Sequence, residues 1–164
     1  MRVLAIDPGP KMSAYVVYDA EDGLLEHAKV PNDEMRVRVR HSQESRMVIE
    51  EVVSYGKPVG ADVFTTVRWT GRFMEAWDSK NPPREESALM SRRPVKMFLC
   101  NAANAKDSYI RQRLIDLFGP GKAAAIGLKK TPGPLYGVKA DEWQALALAV
   151  TYMETVLHIG VPKF

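Results

Sequence analysis

The chain has 164 residues, 46% of them hydrophobic and 26% charged, which fits one soluble globular domain spanning 1–164 and is too short for two of ordinary size. The formal charge of +3 permits a polyanion-binding face without demanding one. A single cysteine, Cys100, excludes a disulfide framework and a cysteine-based zinc site, and points to a reducing, cytoplasmic setting.

In chain order, "MRVLAI" reads as a first strand, cut at position 7 by an acid and a proline before it reaches signal-peptide length. "AYVVYD" and "LEHAKV" flank the turn "AEDG", so the chain opens with a meander of three antiparallel strands. "NDEMRVRVRHSQES" is expected to be a helix capped by Asn32 or Asp33, although "RVRVR" alternates like a strand. "RMVIEEVV" is a strand interrupted by two acids.

From Asp62 to about Trp77, the apolar residues Phe64, Val67, Gly71, Met74 and Trp77 recur at helical spacing. Beside them Trp69, Phe73 and Trp77 form a second stripe at i, i+4, i+8, wider than one core face needs. "NPPREES" breaks this helix, and "PVKMFLC" is expected to be the fifth strand. "KDSYIRQRLIDLF" is an amphipathic helix stopped by Gly119-Pro120. A flexible loop carrying Lys129 and Lys130 leads to a terminal helix from about Asp141 to Leu157. Its apolar core, "ALALAVTYMETVLHIGV", contains Glu154 and is too short to span a bilayer, so no membrane partner is expected. Three hairpin-linked strands followed by alternating helices and strands give an α/β fold, a mixed sheet flanked by helices.

Three acidic positions break the apolar pattern: Asp7 at the end of strand one, Glu50 or Glu51 within "MVIEEVV", and Asp141 at the start of the last helix. Neighbouring strand residues face opposite ways, so only one of Glu50 and Glu51 can share Asp7's side. Carboxylates meeting at strand ends repel one another unless a divalent cation neutralises them, and hard oxygen ligands suit Mg²⁺ or Mn²⁺. Two such ions can clamp a phosphate. Each acid also has an ordinary reading. Asp7-Pro8-Gly9 could be a turn with the carboxylate on nearby backbone N–H groups, "DEWQ" a capping box from Asp141 to Gln144, and "IEEV" a solvated edge strand.

Four stretches in order, "LAIDPGPKMSAYVV", "VIEEV", "RPVKMFLCNAANAKDSYIRQRL" and "KADEWQALALAVTY", resemble the RuvC-type Holliday-junction resolvases of the ribonuclease H-like superfamily over about Met1 to Met153. "SYGKPVG" and "TPGPLYGVK" suggest a phage or prophage branch. The resemblance implies a ribonuclease H-like five-stranded sheet, three strands antiparallel and the rest parallel. It also implies a homodimeric endonuclease that nicks four-way junctions in pairs, with two Mg²⁺ (or Mn²⁺) per subunit. It selects Glu50 over Glu51, making Asp7, Glu50 and Asp141 the catalytic and metal-binding acids.

Three departures from the family pattern stand out. Its fourth acid is Gln144 here, with Glu142 as a badly placed substitute. Its catalytic lysine position reads Asp107, leaving Lys106 one residue off register and Lys96 as the supporting basic residue. Its junction-wedging aromatic reads Val53, and Tyr55 could take over the stacking. Arg92, Arg93, Lys106, Lys129 and Lys130 are candidate contacts for DNA phosphates. The stripe Trp69–Phe73–Trp77 is expected at the dimer contact. A junction-binding protein with weakened cleavage is the alternative function. A nucleotide-hydrolysing actin-like protein is disfavoured because the chain lacks the length for two domains, so no nucleotide cofactor is expected.

Overall fold

The computed structural model describes residues 1–79, 85 and 87–160. The central sheet has five strands in the order β3-β2-β1-β4-β5: β1 (Arg2–Asp7), β2 (Met12–Asp19), β3 (Gly23–Pro31), β4 (Arg46–Glu51) and β5 (Ala88–Ser91). The first three strands are antiparallel, and β4 and β5 run parallel to β1. The β2–β3 turn closes where the Asp19 carboxylate accepts the N–H groups of Glu21 and Asp22 and Gly23 adopts φ +78°.

Side-chain alternation divides the sheet into two faces. Leu4, Ile6, Met47 and Ile49 join the core beneath α1 (Asn32–His41) and α2 (Ala61–Asp78). Val3, Ala5 and Val48 face the opposite core, built from α3 (Arg92–Cys100), α4 (Asp107–Phe118) and α6 (Glu142–Thr155). Between α4 and α6 lie the one-turn α5 (Lys122–Ala125) and a small hairpin of β6 (Gly127–Leu128) and β7 (Thr131–Pro132). Within α6 every residue from Glu142 to Met153 except Gln144 is buried, and the helix packs across β1 and β2. No helix among the described residues is long and apolar enough to cross a membrane.

The sequence expectations need several corrections. "PVKMFLC" is helical, within α3, and the fifth strand is the short "ALMS" before it. Pro94 sits in the first turn of α3, where its missing N–H breaks no helical bond, while Val95 and Leu99, one turn apart, are the buried residues. The 32–41 segment is helical because Met35 and Val39 carry its burial, with Val37 left exposed. No side chain caps that helix: Asn32 turns inward, accepting from Ser13 Oγ at 2.7 Å and donating to the Gly9 carbonyl at 2.9 Å.

On α2 the buried row is Thr66, Thr70, Phe73, Ala76 and Trp77, so Phe73 and Trp77 belong to the core rather than to a dimer surface. Burial of the two threonines is tolerable because their hydroxyls donate to the carbonyls four residues back. Phe64 and Val67, expected inside, are 58% and 50% exposed. The expected break "NPPREES" lies mostly outside the described residues. The lysine loop is an ordered hairpin with Lys129-Lys130 at its tip.

Candidate active site

In the parallel β1–β4 ladder the last registered pair is Ile6 with Ile49, which sets Asp7 and Glu50 side by side one residue further along. Both follow the parity of Ala5 and Val48 and therefore face α3 and α6, whereas Glu51 points the other way and is exposed. Asp141 immediately precedes α6, the helix laid across the same strands.

The turn after Asp7 is held without its help. Gly9 N–H donates to Ser13 Oγ, Ser13 bonds Asn32, and Asn32 returns to the Gly9 carbonyl. A side chain at Gly9 would meet the Met12 carbonyl at 2.3 Å, so the close approach requires glycine. Relieved of a turn role, the Asp7 carboxyl is pushed up to about 8 by burial and then by the negative charges of Glu50 and Asp141, with Arg92 and Lys29 opposing. Burial also raises Glu50, against the lowering fields of Arg92 and Lys96.

Two cations hold the acids. Arg92, the first residue of α3, lies 3.8 Å from Glu50, donates to Asp107 at 2.5 Å and to the Gln144 side-chain oxygen at 2.9 Å. Lys29, on β3, donates to Asp141. The expected capping box does not form: Asp141 makes no cap bond, and the neighbouring Glu142 instead accepts from His27 Nδ1 at 2.8 Å and from the Lys139 N–H at 3.0 Å. Glu142 is thus a buried carboxylate with two partners of its own. Neither His27 nor Lys29 stood out in the sequence, because both sit on the edge strand of the sheet and acquire partners only through the fold.

A cleft of about 520 Å³ opens over this cluster, lined by Asp7, Arg92, Asp107, Arg111, Asp141 and Gln144 among others. Its oxygen donors, with no histidine or thiol in the lining, have the chemistry of a hard-cation site. As placed, no three acidic, histidine or cysteine side chains among the described residues close into a ready metal cage. Lys96 lies one turn beyond Arg92 on α3 and acts on Glu50 through its field. Arg93 is exposed on the same helix.

Lys106 does not reach this cleft. It lines a neighbouring one of about 530 Å³ with Cys100, Tyr109 and Arg113, on the other side of the α4 ridge. Tyr55, 59% exposed with φ +49°, stands in the loop after β4.

Neither a protein-family model nor a curated protein matches the chain. Among solved structures it is similar to the Thermus thermophilus RuvC structure, with TM-score 0.69, 18% identity and 99% of each chain covered. It is also similar to T. thermophilus RuvC in complex with a Holliday junction substrate, with TM-score 0.65, 19% identity and 93% and 92% coverage of this chain and that one. The fold is that of RuvC, the ribonuclease H-like mixed sheet.

Proposed function

We propose that the chain is a RuvC-type endonuclease that cuts four-way or branched DNA as a homodimer and depends on Mg²⁺ or Mn²⁺, two ions per subunit. The observation that carries this reading is that Asp7, beside Glu50 in the β1–β4 ladder, lines one cleft with Asp141, its carboxyl raised by burial and then by the charges of both. A carboxylate group whose buried member stays raised despite Arg92 and Lys29 favours a divalent partner. The match to a RuvC bound to a junction adds the substrate class.

In this reading Asp7, Glu50 and Asp141 hold the cations, and the Gln144 amide oxygen is a neutral fourth ligand. A bound divalent ion supplies electrostatic stabilisation of the charge that builds on the scissile phosphate. Arg92 and Lys96 oppose the upward push of burial on Glu50 and border the path of the DNA backbone. Arg93, Lys129 and Lys130 contact phosphates further out, and Lys106 does so from the neighbouring cleft. Tyr55 stacks on an unpaired base.

Junction binding with weakened cleavage is the second reading. It is favoured by the Arg92 bonds to Gln144 and Asp107, which place a guanidinium where an acid and a lysine would be expected.

A labelled four-way junction incubated with Mg²⁺ or Mn²⁺ separates the two. Cutting by the wild type that Asp7→Asn abolishes supports the nuclease. Tight, salt-sensitive binding without cutting supports the binder. Equal cutting by both proteins defeats both readings.

A further inference from the structure

We infer that Lys29 is a releasable internal counter-ion: it occupies Asp141 and must yield that carboxylate before a divalent cation can use it. This rests on the nuclease reading of the acidic cleft. Lys29 projects from β3, paired in register with Ala14 of β2, and its ammonium donates to Asp141 Oδ2. Its positive charge also reaches Asp7, so it serves two of the three acids.

The contrast with Arg92 shows why Lys29 is the mobile member. Arg92 has three partners, an ion pair with Glu50 and hydrogen bonds to Asp107 and Gln144, drawn from β4, α4 and α6, and a planar fork that suits several partners at once. Among the described residues Lys29 pairs with Asp141 only, at 37% and 50% side-chain exposure, on a flexible stem ending in a strongly hydrated point charge. An exposed pair of this kind is weak and easily exchanged.

There is also somewhere for the ammonium to go. A second cleft of about 440 Å³, lined by Gly9, Pro10, Lys11, Met12, Asp62, Lys29 and Asp141, lies against the same pair. Asp62 offers the displaced ammonium an alternative carboxylate there. Exchange of one ammonium for a divalent ion at Asp141 raises the local charge by one, which favours a phosphate in the same place.

Mn²⁺ binding to the DNA-free protein, measured by titration calorimetry at constant pH, tests this. Lys29→Met keeps the length of the side chain and removes its charge. It should bind Mn²⁺ about two- to fivefold more tightly than wild type, the scale of an exposed ion pair, while Lys29→Arg should stay near wild type. As an independent readout, acetylation of Lys29 by an N-hydroxysuccinimide ester, followed by mass spectrometry, should accelerate when Mn²⁺ is added to the wild type. Unchanged or weaker Mn²⁺ affinity in folded Lys29→Met, or acetylation indifferent to Mn²⁺, overturns the proposal. Asp7→Asn separates the two levels of inference: if it binds Mn²⁺ as wild type does, the metal site itself is wrong, whatever Lys29 does.

Discussion

His27 Nδ1 and the Glu142 carboxylate meet at 2.8 Å across 115 residues of chain, with Glu142 only 2% exposed. The contact ties β3 to the first turn of α6 beside Asp141, and the Lys139 N–H completes the carboxylate's bonding. Removal of a buried, doubly bonded carboxylate leaves donors without acceptors. Glu142→Ala is expected to cost about 2–4 kcal/mol and His27→Ala about 1–2 kcal/mol in denaturant unfolding. A double-mutant cycle should show the two effects to be non-additive.

Asp7 sets a pH dependence of the metal-free protein. Its folded value near 8 lies above that of an ordinary carboxylate, so between about pH 4 and 8 the folded state keeps a proton that the unfolded chain has lost. Stability should therefore fall as pH rises through that window and level off above it. Asp7→Asn should flatten the profile and stabilise the protein at pH 8 by about 2–4 kcal/mol, measured by urea titration at several pH values. Saturating Mn²⁺ should reverse the wild-type trend, because it binds the deprotonated carboxylate.

Gln144 is held by Arg92 at the cleft wall, a position where an added carboxylate would face the same cation site. Gln144→Asp should tighten Mn²⁺ binding about three- to tenfold and raise junction cutting in parallel. Tighter Mn²⁺ binding without faster cutting would mean that the absent charge is not what limits the reaction.

Arg92 neutralises the cluster from the α3 side. Arg92→Ala should weaken junction binding and lower the slope of log K against log salt by about 1, as expected for loss of one phosphate contact. It should also raise Glu50 further, since Arg92 is the leading influence holding that carboxyl down.

Phe64 and Val67 lie one turn apart on α2 and are exposed, which makes this face the candidate dimer contact in place of the buried Phe73 and Trp77. Phe64→Glu should shift sedimentation to the monomer without loss of thermal stability in the subunit.

The strand meander, the acidic order and the terminal helix were legible because each depends on a local pattern: alternation with period two, a turn signal, an acid interrupting an apolar run. The β5–α3 boundary was not. "RRPVKMFLC" offers both a β-like run and a helical pair, Val95 and Leu99, and only the packing of that pair against α6 decides between them. The α2 face was misread because Thr66 and Thr70 become core residues once their hydroxyls bond within the helix. In the site, Asp7 and Asp141 could be named from position and Glu50 through the family resemblance. Arg92 was a candidate phosphate contact, but its bonds to the cluster and the role of Lys29 could not be read. Lys29 and His27 find their partners more than a hundred positions away, through the β2–β3 pairing that carries them beside α6.

The Lys129-Lys130 tip has a thermodynamic consequence of its own. Its hairpin is fastened to α5 by Gly133 N–H to the Ile126 carbonyl and by Leu135 N–H to the Ala125 carbonyl, and a side chain at Gly133 would strike the Ala124 carbonyl at 2.3 Å. The two ammonium groups therefore ride on a stiff prong rather than a tether. Contact with a polyanion would freeze side-chain rotamers only, sparing the roughly 1–2 kcal/mol per residue that ordering a loose backbone would cost.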